Sequence, residues 1–149
     1  MIERIEFEGT EFAIILRSGM REPGIHFFTP PDFSQQLGCM RHPAGHLIEP
    51  HVHNPVPRAV HFTQEALFLR RGRLRVDFYS EAGAYLESRE LEAGDVILLI
   101  RGGHGFEVLE EIEMVEVKQG PYVGEADKTR IKSIAASEVR LVRFTRPSG

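Results

Sequence analysis

Short apolar or alternating segments, each bounded by turn residues, recur through most of the chain. They read FAIILR, ALFLRR, RLRVDFY, DVILLI, GFEVLE and EMVEVKQ, and turn signals fall near Gly72 and in SEAGAY, EAGD, RGGHG and GPYVG. A period of two over such short segments predicts antiparallel strands. No helical face of convincing length is present, and residues 134–142 can form either a closing strand or an irregular tail. The pattern therefore predicts an all-β sandwich or barrel.

Composition is typical of one folded globular domain spanning residues 1–149. The chain has 42% hydrophobic and 27% charged residues, with no repeat or linker that would mark a boundary. A net charge of -4 provides no positive field for nucleic acid, so we expect none as a partner. The amino-terminal residues do not read as a signal peptide, and the longest apolar run, VILLI, is too short to span a membrane. One cysteine, Cys39, cannot form an internal disulfide, which agrees with a cytoplasmic location.

Two histidines separated by one residue, His51 and His53, form the first candidate metal-binding pair. If residues 50–54 are extended, both imidazoles project from the same face and can chelate one ion. A pair of solvated histidines at a sheet edge explains the same spacing equally well. The pair alone does not decide between these interpretations.

A carboxylate and a further histidine extend the pattern downstream. Glu65 shares one face of its segment with Leu67 and Leu69, so its charge would enter an apolar interior. An unpaired buried charge is costly, and coordination of a cation is one way to stabilise it. Gln64 would take this place if the register slipped by one residue. His104 follows the buried segment DVILLI in a glycine-rich bend and is a fourth possible ligand.

These residues resemble the two sequence motifs of the cupin superfamily. Gly45, the His51 and His53 pair, Glu65 and Gly72 resemble the first motif, with a longer loop, NPVPRAVHFTQ, inserted before the glutamate. The stretch from Gly94 to His104 resembles the second motif. There Gly102 matches, Ile100 replaces a proline and His104 comes one position early. The resemblance covers about half of the chain, roughly residues 40–118.

The resemblance implies a small antiparallel β-barrel of the jelly-roll type that binds a divalent transition metal. Its ligands would be His51, His53, Glu65 and His104, meeting on the inner wall. Nitrogen and oxygen ligands without thiolate suit Fe, Mn, Ni or Zn, and positions would remain open for water or a substrate.

Three functions are compatible with that implied site. The first is a metal-dependent enzyme acting on a small molecule, either a dioxygenase or an isomerase, with His61 as a candidate catalytic base. The second is a non-catalytic module that binds a small ligand. The third is a metal-independent sugar isomerase or epimerase. His61 alternatively lies in the inserted loop without a role in catalysis.

Other charged residues have simpler interpretations. Arg73 and Arg75 should lie with Asp77 on a solvated outer face, opposite inward-facing apolar neighbours. Glu116 and Lys118 could form an exposed ion pair. They could instead line the pocket if the apolar residues of EMVEVKQ pack outward.

A homodimer is the expected assembly. The alternating segment IERIEFEGTEFAIILR could add to the sheet of a neighbouring barrel, and dimers are the commonest closed oligomers. We expect a small-molecule ligand or substrate as the other partner, and no membrane.

Overall fold

A computed structural model describes residues 1–145 of the chain. About 45% of the residues are in strands and 5% in helices, which confirms the all-β prediction. The strands are β1 (Ile2–Phe7), β2 (Thr10–Leu16), β3 (Gly24–Phe27), β4 (Gly38–Arg41), β5 (Glu65–Tyr79), β6 (Tyr85–Glu92), β7 (Val96–Leu99) and β8 (Gly103–Lys118). Two short 3-10 turns, Gly124–Asp127 and Ala136–Glu138, follow β8.

The chain divides into two compact units. The first unit comprises Met1–Met20 together with the chain from Phe62 onward, and the second comprises Arg21–His61. We call them the sheet unit and the hairpin unit and describe each separately. The prediction of a single domain over residues 1–149 stays a prediction.

The sheet unit contains one six-stranded antiparallel sheet that curls into a half-barrel. Its strand order is β1-β2-β7-β5-β6, and β8 also pairs with β5. Strand β5 is 15 residues long and β8 is 16, because each merges two segments that the sequence pattern separated. The turn predicted at Gly72 is wrong. Gly72 lies within β5 at a positive φ of 81°, among the register shifts of the β5–β8 ladder, where a bulge bends the strand without ending it.

The core of the sheet unit lies on one face of β5. Leu67 and Leu69 are buried before the bulge, and Leu74, Val76 and Phe78 are buried after it. The inward direction of these side chains is confirmed. Residues from four other strands complete this core, namely Ile5, Phe12, Ala13, Ile15, Leu91, Ile97 and Leu99.

Two residues of β5, Asp77 and Arg75, depart from their predicted exposure. Asp77 was expected on the solvated face but is only 6% exposed. Its carboxylate accepts hydrogen bonds from Arg75 at 2.8 Å and from Ser88 Oγ. These donors satisfy the charge and allow it to be buried. The Arg75 side chain is only 13% exposed and pairs with Asp77 and with Glu107 of β8. Arg73 is 40% exposed and pairs with Glu90 and Glu110, as expected for the outer side of the sheet.

The hairpin unit consists of β3, β4 and a long irregular segment. Strands β3 and β4 pair antiparallel, from Gly24 opposite Arg41 to Phe27 opposite Gly38. No regular secondary structure is present over residues 42–64, so the prediction of a loop before Glu65 is confirmed. The strand expected over residues 50–54 is not formed. Pro50 begins this segment and Pro55 follows it, and neither has an N–H group to donate to a ladder.

The segment at residues 134–142 is an irregular tail, with one 3-10 turn and a single bridge between Ser88 and Leu141. No helix in residues 1–145 is both long enough and apolar enough to cross a membrane.

Replacing Gly72 with alanine should destabilise the sheet unit strongly. The left-handed backbone disfavours any side chain, and a methyl group would also collide with the carbonyl oxygen of Glu111. We expect a loss of about 2–4 kcal/mol in the free energy of unfolding, measured by urea denaturation.

Gly9 provides the matched control, since it also has a positive φ, of 73°, but no atom lies near its added methyl group. Gly9→Ala should cost only about 1 kcal/mol. Equal losses in the two variants would show that close packing at Gly72 is unimportant.

Candidate functional site

Glu65 places a carboxylate at the end of the curled sheet where β5 begins and β7 and β8 end, which we call the mouth. It is the first residue of β5 and pairs with Leu99 of β7 on one side and with Lys118 of β8 on the other. Its side chain is only 12% exposed and lies on the same face as the buried Leu67. The glutamate thus continues an apolar wall at the point where that wall approaches solvent.

Each carboxylate oxygen of Glu65 contacts a different nitrogen. His104 Nε2 lies 3.1 Å from Oε2, and Lys118 Nζ lies 2.9 Å from Oε1. The hydrogen bond from His104, opposed by burial and reinforced by Lys118, holds the pKa of Glu65 at about 2. Glu65 is therefore an anion at neutral pH.

The contact between Glu65 and His104 depends on the curl of the sheet. In the β5–β8 ladder the register partner of His104 is Phe78, 13 positions after Glu65 on the same strand. A flat strand would separate those positions by roughly 40 Å. Because β5 bends and β7 pairs with its first residues, the start of β8 returns to Glu65.

Lys118 connects the carboxylate of Glu65 to a second one. Lys118 Nζ lies 3.0 Å from Asp127 Oδ2, and Thr63 Oγ1 donates a hydrogen bond of 2.7 Å to Asp127 Oδ1. The hydrogen bonds to Glu65 and Asp127 raise the pKa of Lys118, which keeps it cationic. The site is therefore a chain of four charged or polar groups in contact, in the order His104, Glu65, Lys118 and Asp127.

Sequence reasoning assigned the wrong partner to Lys118 and missed Asp127. The preferred interpretation, an exposed pair with Glu116, is wrong. The alternative placed Lys118 at the pocket if the apolar residues packed outward. This agrees with the structure, because Val115 and Val117 are 46% and 53% exposed on the opposite parity. The alternation of residues along β8 could have indicated that Lys118 faces the site, but nothing in the sequence pattern pairs Asp127 with Lys118.

The other predicted site residues lie in the hairpin unit. His51 and His53 are exposed, and their ring centroids are 5.2 Å apart in an edge-to-face arrangement. His51 Nδ1 is within 3.0 Å of the Glu49 carbonyl oxygen. His61 is exposed in the segment without regular secondary structure. The predicted residues thus form two local pairs, His51 with His53 in the hairpin unit and Glu65 with His104 in the sheet unit.

Within residues 1–145, no three side chains of His, Cys, Asp or Glu converge with the spacing of a metal centre. The set of four ligands implied by the cupin resemblance stays a prediction. The pair in the sheet unit does fit a transition metal in donor type and spacing. Two donor atoms about 2.1 Å from one ion and nearly at right angles lie about 3 Å apart, close to the observed 3.1 Å between Glu65 Oε2 and His104 Nε2.

A cavity of about 370 Å³ in the sheet unit shares no residue with this site. Its lining includes Arg17 and Arg73, which already pair with carboxylates. Hydrogen bonds and charges from Glu3 and Asp95 outweigh burial and raise the pKa of Arg17. This charged cluster joins β1, β2 and the β6–β7 turn, and its groups are satisfied within the protein.

Searches against protein-family models, curated proteins and solved structures found no match. The interpretation of the site therefore rests on its own geometry and on the resemblance of the two motifs.

Replacing Glu65 with glutamine should destabilise the metal-free protein. The substitution nearly keeps the shape but removes the charge that pairs with His104 and Lys118. Allowing for partial exposure, we expect a loss of about 1–2 kcal/mol at neutral pH. Urea denaturation in the presence of a chelator measures it.

The pH dependence of that difference has a defined sign. Glu65 has a lowered pKa of about 2 in the folded protein, against 4.5 when unperturbed, so its stabilising contribution is complete above pH 4.5. The contribution should then disappear as the pH falls through 2. Glu116→Gln is the control, because Glu116 is exposed on β8 and is not among the pairs of this site. If the two variants lose equal stability, the Glu65 contacts contribute nothing.

Proposed function

We propose that this chain is a metal-dependent small-molecule enzyme with a cupin-type jelly-roll barrel. His51, His53, Glu65 and His104 would hold a divalent transition metal, with Fe, Mn, Ni and Zn as candidates. The observation that carries the proposal is the contact of 3.1 Å between Glu65 and His104 at the mouth of the half-barrel.

Three features of the sheet unit support this proposal. Glu65 is ionised and mostly buried, so it is available as a ligand without first losing a proton. His104 presents Nε2 to the same space. Lys118 holds the second carboxylate oxygen of Glu65, which leaves the oxygen nearer to His104 for an ion. Groups that orient a ligand in this way are a regular part of metal sites.

The proposal gives distinct roles to the protein's own residues. Glu65 and His104 bind and orient, while Lys118 and Asp127 fix the direction of the glutamate. His61 is the candidate base that moves a proton on the substrate. A bound metal would polarise a carbonyl for isomerisation or, as Fe(II), support reaction with dioxygen.

Metal binding is the first test. Chelator-treated protein, reconstituted separately with the four metals, should bind one equivalent of at least one of them, measured by elemental analysis and calorimetry. His104→Ala and the double variant with His51→Ala and His53→Ala should each weaken binding at least tenfold, because each removes imidazole donors.

His46→Ala is the matched control, since His46 lies in the same stretch but stacks on His42 with ring centroids 4.0 Å apart. It should bind metal like the wild-type protein. A protein that binds none of the four metals, or variants that all bind alike, would refute the proposed centre.

The same contacts also favour the metal-independent alternative. A carboxylate hydrogen-bonded to an imidazole is a common acid-base pair, and Lys118 would hold the carboxylate in place. Such a pair could isomerise or epimerise a sugar by moving a proton. A non-catalytic ligand-binding role has no comparable observation in its favour.

A screen of small metabolites separates the two reactions. A metal-dependent enzyme should lose turnover with a chelator and recover it on reconstitution, and a ferrous dioxygenase should also consume oxygen. A metal-independent isomerase should be equally active in chelator and without oxygen, yet lose activity in Glu65→Gln. Tight ligand binding without turnover would favour the non-catalytic role instead.

A further inference from the structure

Arg101 is a half-buried cation to which residues 1–145 supply no paired carboxylate. Its Nε atom is fully covered and has no hydrogen-bond partner. The guanidinium carbon lies 4.4 Å from the centre of the Phe62 ring, which supports one face of the group. Burial of a charge without a paired anion is unfavourable unless something else compensates.

The other half-buried arginines show how unusual this is. Residues 1–145 contain four more of them, and each forms an ion pair with a carboxylate, namely Arg17, Arg73, Arg75 and Arg89. The ring contact with Phe62 compensates Arg101 only in part, because a cation–π contact is weaker than a paired, hydrogen-bonded charge. Arg101 is therefore the half-buried arginine in this part of the chain with capacity for an added anion.

Arg101 lies at the end of the sheet that carries the candidate site. Leu99 is the register partner of Glu65, and Arg101 follows Leu99 by two residues. Phe62 precedes Glu65 by three residues, so the contact between Arg101 and Phe62 extends the strand pair just beyond Glu65. His104 follows Arg101 by three residues. Arg101 is thus attached to the same end of the sheet as Glu65.

We propose that Arg101 anchors the carboxylate group of a small organic anion at the mouth of the half-barrel. A guanidinium group matches a carboxylate in shape and charge and can donate two parallel hydrogen bonds to it. A singly charged head group suits the site better than a phosphate dianion, because Glu65 and Asp127 carry two negative charges against the single positive charge of Lys118.

This inference rests on the proposed function for its biological meaning, since it names the substrate class of that site. Binding of a carboxylate at Arg101 does not itself require a metal. The aromatic support holds the planar group in one orientation, so binding loses little side-chain freedom. A residue kept for binding rather than for folding should also be dispensable for stability.

The test is an NMR titration of the metal-free full-length protein with acetate, succinate and benzoate, followed at the side-chain ¹⁵N signals of arginine. At least one of these carboxylates should cause a saturable shift at Arg101, and the neutral diamide of succinate should not. Arg101→Gln should weaken the binding at least tenfold, and Arg101→Lys should weaken it less because it keeps the charge.

Arg70→Gln is the matched control, because Arg70 is exposed on β5 and makes no ion pair with any residue from 1 to 145. It should bind the carboxylates like the wild-type protein. The melting temperature of Arg101→Gln should be no lower than that of the wild type, since the variant removes an unpaired, partly desolvated cation.

The proposal is overturned if no carboxylate binds, if Arg101→Gln binds as tightly as the wild type, or if Arg70→Gln weakens binding equally. A marked fall in the melting temperature of Arg101→Gln would assign Arg101 a structural role. Because no metal is present in these titrations, their failure leaves metal binding at Glu65 and His104 intact. The metal measurements, in turn, can fail without affecting Arg101.

Discussion

Hydrogen bonding of one long strand to three others organises the sheet unit. Strand β5 pairs with β7 through its first residues, with β6 through its last, and with β8 along most of its length. A straight strand could not satisfy these ladders and close a core. The bulge at Gly72 supplies the bend. It also shifts the buried positions from odd-numbered residues such as Leu67 to even-numbered residues such as Leu74.

The candidate site is a direct product of that bend. The apolar wall of β5 ends in the carboxylate of Glu65, and the two ends of β8 bring an imidazole from His104 and an ammonium group from Lys118 to it. A carboxylate at the edge of an apolar surface needs such partners. The same partners leave it anionic and fixed in direction, which are the properties required of a metal ligand or of one half of an acid-base pair. Arg101, at the same end of the sheet, adds a positive charge that pairs with no carboxylate in the described part of the chain.

Much of the fold follows from residue patterns, and the errors have identifiable causes. Alternation located β1, β2, β5, β7 and β8 and the inward residues of β5, because burial of one face requires a period of two. It did not identify β3, β4 or β6. It divided β5 at Gly72, since a glycine between two strand segments indicates a turn as well as a bulge. It also placed Asp77 outside, because charge alone does not reveal that Arg75 and Ser88 satisfy the carboxylate.

The sequence by itself determined the all-β class, the loop before Glu65 and the choice of Glu65 and His104 as candidate site residues. These depend on local spacing and on the cost of placing a charge on an apolar face. Only the tertiary structure decided that Glu65 and His104 touch, that Lys118 pairs with Glu65 and Asp127, and that no carboxylate of residues 1–145 pairs with Arg101. Those relations depend on strand register and on the curl of the sheet, which arise from contacts between residues far apart in the chain.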